Sequence, residues 1–230
     1  KIKRRTVKES TYKSYYEIIY THVVPRFGKL HVNEITRKDV QEFLFNLTDQ
    51  GKMRTAQKLK VLMTAMFEVI CDDYDIKSPM RKIVLSHYEV KKGNAFTKAE
   101  EKRIVDFCTR NTQYIAHSGL LLLLYTGMRV GEIKSMQYDG KYITCESEKT
   151  RKGYAAVIRK IPVSPMLKRV LHLIDFNQAK AVSTFTIRDA LKRIFPDRHV
   201  HELRYTFITR AKECGCNPEV VMKWVGHEFD

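Results

Sequence analysis

The segment Tyr114–Tyr125 constrains the fold more than any other part of this 230-residue chain. Its side chains are apolar nearly all round a helix, and a helix of that kind is buried. The longest apolar run, around Leu120–Tyr125, falls far short of the roughly 20 residues that cross a bilayer, and the chain starts without a signal-peptide pattern. We therefore expect a buried core helix in a soluble, intracellular protein.

Apolar residues recur at helical spacing through the first 80 residues. The pattern predicts one helix over Glu9–Val23, a second that starts at Thr36 and ends before Gly51, and a third over Arg54–Asp73. We interpret residues 1–80 as a small helical bundle.

The helical period lapses over residues 81–94, which we interpret as a linker. Thr97-Lys98-Ala99-Glu100 then has the pattern of a capping box, so a second domain is expected over residues 95–230. Lys141–Cys145 and Ala155–Val163 have strand character, and helices are expected near residues 186–195, 201–213 and 218–226. The predicted fold class is mainly α with a small β-sheet (α+β).

The charge balance indicates a polyanionic partner. The chain has 42 Lys and Arg against 26 Asp and Glu, a formal charge of +16, and residues 1–94 and 95–230 each carry +8. Nucleic acid fits this positive charge, although basic proteins that catalyse no reaction carry a similar charge. Solvated lysines are common on helix surfaces, but basic residues in and just before the third helix, in the linker and in the predicted strand turn are candidate DNA contacts: Lys52, Arg54, Lys58, Lys60, Lys91, Lys92, Arg151 and Lys152.

The five cysteines show no repeated metal-ligand spacing. The histidines show none either. We expect reduced thiols, no metal site and no cofactor.

Three short islands carry residues suited to phosphate chemistry: Thr126–Glu132, His201–Arg204 and Gly226-His227. Arginine presents a planar, permanently charged fork to two phosphate oxygens, and histidine transfers protons near neutral pH. Each island also has an ordinary explanation, such as a solvated arginine after a turn or a helix-capping pair. Together they suggest an enzyme that acts on a phosphodiester.

The islands resemble the signature boxes of a known family. Thr-Gly-Met-Arg-Val-Gly-Glu, His-Glu-Leu-Arg-Tyr-Thr-Phe and Val-Gly-His, in this order behind a helical domain, are similar to those of the tyrosine recombinases, also called the phage integrase family. The Glu148-Lys149-Thr150 turn and the residues after Arg204 look most like integrases of conjugative transposons and temperate phages. The resemblance covers nearly the whole chain.

The resemblance implies a metal-free mechanism for site-specific DNA recombination. A tyrosine attacks the scissile phosphate, forms a 3′-phosphotyrosyl bond and releases a 5′-hydroxyl that later attacks the partner strand. By position, Arg129 and Arg204 would clamp the phosphate, Lys149 (or Lys152) would protonate the leaving oxygen, and His201 would act as base. His227 would hydrogen-bond the phosphate, and Glu132 would orient neighbouring basic groups.

The resemblance places the tyrosine nucleophile two to three helical turns beyond His227, outside the 230 residues. Tyr205 directly follows Arg204 and is a poor substitute, so we expect these residues alone to bind DNA without cleaving it. Family members assemble as dimers or tetramers on double-stranded DNA, and we expect the same partners here, in the cytoplasm of a prokaryotic cell.

Three other classes stay open at this stage. A type IB topoisomerase would use the same residues but would not need paired sites. A DNA-binding regulator would retain the boxes without catalysis. A basic structural protein would bind DNA without sequence preference, and its binding would weaken steeply with salt.

Overall fold

The computed structural model describes residues 2–89, 93–147 and 153–226. The chain divides into two compact units, Lys1–Lys91 and Lys92–Asp230. Each unit has its own hydrophobic core.

The first unit is helical throughout its described elements, which are α1 (Ile2–Thr6), α2 (Glu9–His22), α3 (Val24–Phe27), a 3-10 turn (Val32–Glu34), α4 (Arg37–Asp49) and α5 (Met53–Tyr74). The predicted start of α4 is confirmed, because the Thr36 hydroxyl accepts a hydrogen bond from the Asp39 amide at 3.2 Å. The Asp39 carboxylate in turn accepts from the Thr36 amide at 3.0 Å.

The core of the first unit forms between α4 and α5. Leu44 of α4 and Leu59 of α5 are completely buried, and Phe27 packs edge-on against Phe43 with ring centroids 5.3 Å apart. Full burial of one such side chain contributes about 1.5–3 kcal/mol. Ile83, in the segment that we interpreted as a linker, is buried in this core as well.

The second unit contains α6 (Lys98–Arg110), α7 (His117–Thr126), a 3-10 segment (Val130–Ser135), β1 (Gln137–Tyr138), β2 (Tyr142–Glu146), β3 (Ile158–Pro162), α8 (Pro165–Val170), a 3-10 turn (Leu171–Leu173), α9 (Phe176–Ala181), α10 (Thr184–Ile194), α11 (His201–Glu213) and α12 (Pro218–Val225). The predicted capping box at Thr97 is confirmed.

Helix α7 lies at the centre of the second unit, in contact with α6, α8, α9, α10 and α11. Leu120 to Leu124 are all buried, which confirms the predicted core helix. The helix begins at His117 rather than Tyr114. The His117 imidazole bonds the carbonyls of Tyr114 at 2.7 Å and Leu173 at 2.6 Å, and so holds the preceding turn in place.

The three strands form an antiparallel sheet in the order β1-β2-β3. Ile143 pairs with Ile161, and Cys145 pairs with Arg159. This register turns Arg159 inward with only 4% exposure, whereas Ile158 is 71% exposed. The prediction of a mainly α fold with a small β-sheet is confirmed.

Candidate active site

The turn after α7 positions Arg129 and Glu132. Gly127 ends the helix with a φ of 64°, and a Cβ at this position would lie 2.5 Å from the Phe207 ring. The chain then forms the 3-10 segment from Val130. The Glu132 carboxylate accepts from the Arg129 amide at 2.7 Å and from the Arg129 guanidinium at 2.9 Å, so this pair is held by local geometry.

Arg204 lies in the first turns of α11 and is only 1% exposed. Its guanidinium donates to the Gly127 carbonyl at 2.8 Å and to the Val225 carbonyl, at the C-terminal ends of α7 and α12. Helix C-termini carry unpaired carbonyls and partial negative charge, so they suit a buried cation. Burial, and then repulsion from two other arginines, Arg129 and Arg159, lowers the pKa of Arg204 to about 10.

Helix α11 is fixed by side chains on successive turns of one face. The Glu202 carboxylate accepts from the Asn94 amide at 3.0 Å, and the Thr206 hydroxyl accepts from the Phe96 amide at 2.8 Å. One turn later, the Arg210 guanidinium donates to the Phe96 carbonyl at 2.7 Å. These bonds set the position of the helix that carries Arg204.

His201 begins α11 and is exposed, in contrast with the buried Arg204 one turn later. Its ring stands edge-on against Tyr205, with centroids 5.2 Å apart. His201 lines a cavity of about 300 Å³ that Arg129 also lines.

Arg159 joins Arg129 and Arg204, although the sequence motifs do not include it. Its guanidinium donates to the Glu132 carboxylate and to the Trp224 carbonyl. Arg159 and Ile161 lie on one face of β3, and the apolar Val163, just after the strand, continues the same alternation. That alternation was the available signal, because it placed Arg159 among inward-facing side chains.

The three arginines and Glu132 form what we call the arginine cluster, residues 129, 132, 159 and 204. Within the described part of the chain, the buried Nε atoms of Arg129, Arg159 and Arg204 have no hydrogen-bond partner. The cluster carries three positive charges against one carboxylate. An anion with several oxygens, such as a phosphodiester, fits this excess of charge and donors.

Comparison with known proteins assigns the family. Residues 94–230 match the group described as "Phage integrase family", and residues 1–47 match "Phage integrase, N-terminal SAM-like domain". The chain belongs to the phage integrase family. The resemblance inferred from the three islands is thereby confirmed.

Individual relatives agree with the assignment. A protein named tyrosine recombinase from Thermosipho africanus (strain TCF52B) is 24% identical over 251 residues, covering 97% of this chain and 86% of that protein. A lambda integrase tetramer bound to a Holliday junction has a TM-score of 0.82 at 19% identity, with 100% of this chain and 74% of that chain covered. The Tn1549 transposon integrase (aa 82–397) in complex with circular intermediate DNA has a TM-score of 0.69 at 20% identity, covering 97% and 87%. At these identities the structures establish a shared fold.

Several predicted site residues of this integrase-family chain lie outside the described residues: Lys149, His227, Lys91, Lys92, Arg151 and Lys152. Of the candidate DNA contacts in the first unit, Arg54 and Lys58 lie one turn apart on α5, and Lys58 donates to the Ser14 hydroxyl at 2.8 Å. Lys60 lies two positions after Lys58, on another side of α5, and lines a separate groove. Lys52 precedes α5 and bonds Gln50 at 2.9 Å.

The described residues contain no group of three His, Cys, Asp or Glu that is placed to hold a metal ion. Among the helices that the structure describes, none is long and apolar enough to cross a membrane.

Proposed function

We propose that this chain is the DNA-binding and catalytic part of a tyrosine recombinase, which cuts and rejoins DNA at specific sites to integrate or excise a mobile element. The arginine cluster carries the proposal, because its three arginines have Nε donors without a hydrogen-bond partner among the described residues, and one of them, Arg129, lines the same cavity as His201. Family membership supplies the reaction class.

In the proposed reaction, a tyrosine oxygen attacks phosphorus while the bond to the 5′-oxygen breaks. Arg129 and Arg204 hold the non-bridging oxygens, whose negative charge increases in the transition state. The exposed His201 accepts the tyrosine proton. Lys149, with Lys152 as the alternative, gives a proton to the leaving 5′-oxygen, and His227 hydrogen-bonds the phosphate. The 5′-hydroxyl of the partner strand then reverses these steps, so no phosphodiester energy is lost.

Glu132 has a supporting role in this scheme. Its carboxylate bonds both Arg129 and Arg159, so it sets the orientation of Arg129 and partly neutralises the cluster. It therefore orients basic groups rather than transferring protons.

We propose double-stranded DNA and further copies of the protein as partners. The two solved structures named above support this assignment, since one is a lambda integrase tetramer bound to a Holliday junction and the other is the Tn1549 transposon integrase in complex with circular intermediate DNA. The candidate contacts Lys52, Arg54, Lys58 and Lys60 would serve the first unit. The site of action would be the cytoplasm of a prokaryotic cell.

A covalent-adduct assay tests the function. The full-length protein is incubated with DNA carrying its recombination site and run on a denaturing gel. The wild type should form a protein–DNA adduct. Arg204→Lys should lower adduct formation by at least about a hundredfold, because removal of one transition-state donor typically costs that much.

A matched control is Arg193→Lys, since Arg193 is exposed and pairs with Asp189 at 2.9 Å outside the cluster. It should leave the adduct unchanged. Normal adduct formation by Arg204→Lys would contradict the proposal. Relaxation of plasmids that lack recombination sites, without strand exchange between paired sites, would instead indicate a topoisomerase.

A further inference from the structure

The cavity beside Arg129 and His201 extends the candidate site toward α10. Its volume is about 300 Å³, well above the ~10–15 Å³ that one water needs on the same kind of measure. Besides Arg129 and His201, its lining includes the basic residues Arg188, Lys192, Arg198 and His199. The mechanism proposed above uses none of these four.

We infer that Arg188 and Lys192 bind a second, uncleaved DNA phosphate adjacent to the scissile one. The inference rests on the proposed function, because the scissile phosphate itself would lie at Arg129 and His201. The ligand class is a backbone phosphodiester, and the second contact would fix the position of the strand before cleavage.

Arg188 and Lys192 differ from Arg129 and Arg198, the other two arginines that line the cavity, in having no carboxylate partner among the described residues. Arg129 pairs with Glu132 at 2.9 Å. Arg198 lies 3.5 Å from Glu202, and its guanidinium is 4.1 Å from the Phe96 ring centroid. By contrast, neither Arg188 nor Lys192 has a carboxylate within 4.0 Å among the described residues. Their charges remain available to a phosphate.

Helix α10 presents these two side chains from a fixed base. Arg188 and Lys192 are one turn apart and exposed, whereas Ile187 and Leu191 beside them are buried. Helix α10 packs closely on α7, since a Cβ added to Gly119 would lie 2.8 Å from Ile187 Cδ1. The two cations therefore share one side of a rigid helix.

The spacing of DNA phosphates suits two neighbouring contacts. Successive phosphates of a strand advance by about 3.4 Å along the duplex axis, and the rotation of the strand about that axis makes the through-space step between them comparable to the length of one extended Arg or Lys side chain. Because Arg129, Arg188 and Lys192 line the same cavity, a strand whose scissile phosphate lies at Arg129 brings a neighbouring phosphate toward the two cations of α10. Holding two successive phosphates restricts rotation of the strand and aligns the reacting bond.

The test compares Arg188→Ala/Lys192→Ala with a control that removes the same two charges elsewhere. The control is Lys168→Ala/Arg169→Ala, because both residues are exposed on α8 and neither lines the cavity. Both variants are made in the full-length natural protein, and their melting temperatures are compared with that of the wild type. Arg188→Gln/Lys192→Gln, which preserves more of the side-chain length, is tested alongside.

Affinity for DNA with the recombination site is measured over a range of salt concentrations. The α10 double variant should bind roughly tenfold more weakly near 0.1 M salt, and the slope of log K against log salt should fall by about 0.9 for each phosphate that the variant no longer binds. The α8 control should keep the wild-type affinity and slope. Equally weakened binding in both variants, or a wild-type slope in the α10 variant, would overturn the inference.

Replacing single phosphates of the DNA by neutral methylphosphonates identifies the phosphate that Arg188 and Lys192 contact. A methylphosphonate is placed in turn at each position around the cleavage site, which is mapped from the covalent adduct. The wild type should lose affinity when the phosphate next to the scissile one is neutral, and the α10 variant should be insensitive at that position. If the α10 variant keeps wild-type sensitivity at every neighbouring phosphate, the inference is wrong while the proposed function stands. If the wild type forms no adduct with any site-containing DNA, the proposed function itself fails.

Discussion

Glu132 is the carboxylate that balances the arginine cluster, so Glu132→Gln tests how the cluster is stabilised. The side chain of Glu132 is fully buried, and its two oxygens bond Arg129 and Arg159. An amide of the same shape keeps one acceptor but directs an N–H group at one arginine. Three buried or nearly buried guanidinium groups are then left without a counter-charge.

The expected loss is large for a single substitution. Removing one partner of a buried ion pair costs about 3–5 kcal/mol of unfolding free energy. At about 2–4 °C per kcal/mol for proteins of 150–250 residues, the melting temperature of the 230-residue chain should fall by roughly 6–20 °C. Differential scanning calorimetry and urea titration at neutral pH measure both quantities.

Glu213→Gln is the matched control, because Glu213 also pairs with an arginine, Arg210 at 3.1 Å, but its side chain is 51% exposed. Exposed pairs contribute about 0–1 kcal/mol. Sulfate or phosphate should also raise the melting temperature of Glu132→Gln more than that of the wild type, since a bound anion would replace the missing charge. A decrease in stability for Glu132→Gln no larger than that of Glu213→Gln would refute this account of the cluster.

Two further predictions concern the surroundings of the cluster. Gly226→Ala should lower the free energy of unfolding by at least about 1–3 kcal/mol more than Gly215→Ala does. Both glycines have a positive φ, but only at Gly226 would a Cβ meet another side chain, Arg159 Cδ at 2.5 Å. Urea titration of the two variants measures the difference. Burial raises the pKa of the Cys145 thiol to about 11, so iodoacetamide at about pH 8 should leave Cys145 unmodified in the native protein while it alkylates the exposed Cys214, with mass spectrometry of peptides as the readout.

The helices could be predicted where the sequence carries both a period and a cap. Thr36 and Thr97 have side chains that cap the following helix, and α4 and α6 begin at the next residue. Helices α8 and α9 were not predicted, because six residues each are too few to show a period. Strand β1 has two residues and exists only through its pairing with β2.

The site was accessible from sequence only in part. The islands pointed to Arg129 and Arg204, and the fold brings both side chains to the end of α7. Arg159 was missed because its role depends on strand register, which pairs it with Cys145 and turns it toward Glu132. Periodicity predicts which residues share a face, but register and partner decide what that face contacts.

The contacts of Arg204 argue against the simplest structural explanation of the His201–Arg204 island, in which the two side chains only cap their own helix. Arg204 donates to carbonyls at the ends of two other helices, α7 and α12, so it stabilises their packing around α11. Those two bonds use two of the five N–H donors of a guanidinium, which leaves donors for an anion. Arg204→Lys retains the charge but lacks the planar fork, so it should lose both part of this packing and its hold on the phosphate. A variant that lost stability but retained full adduct formation would show that Arg204 acts only as a structural residue.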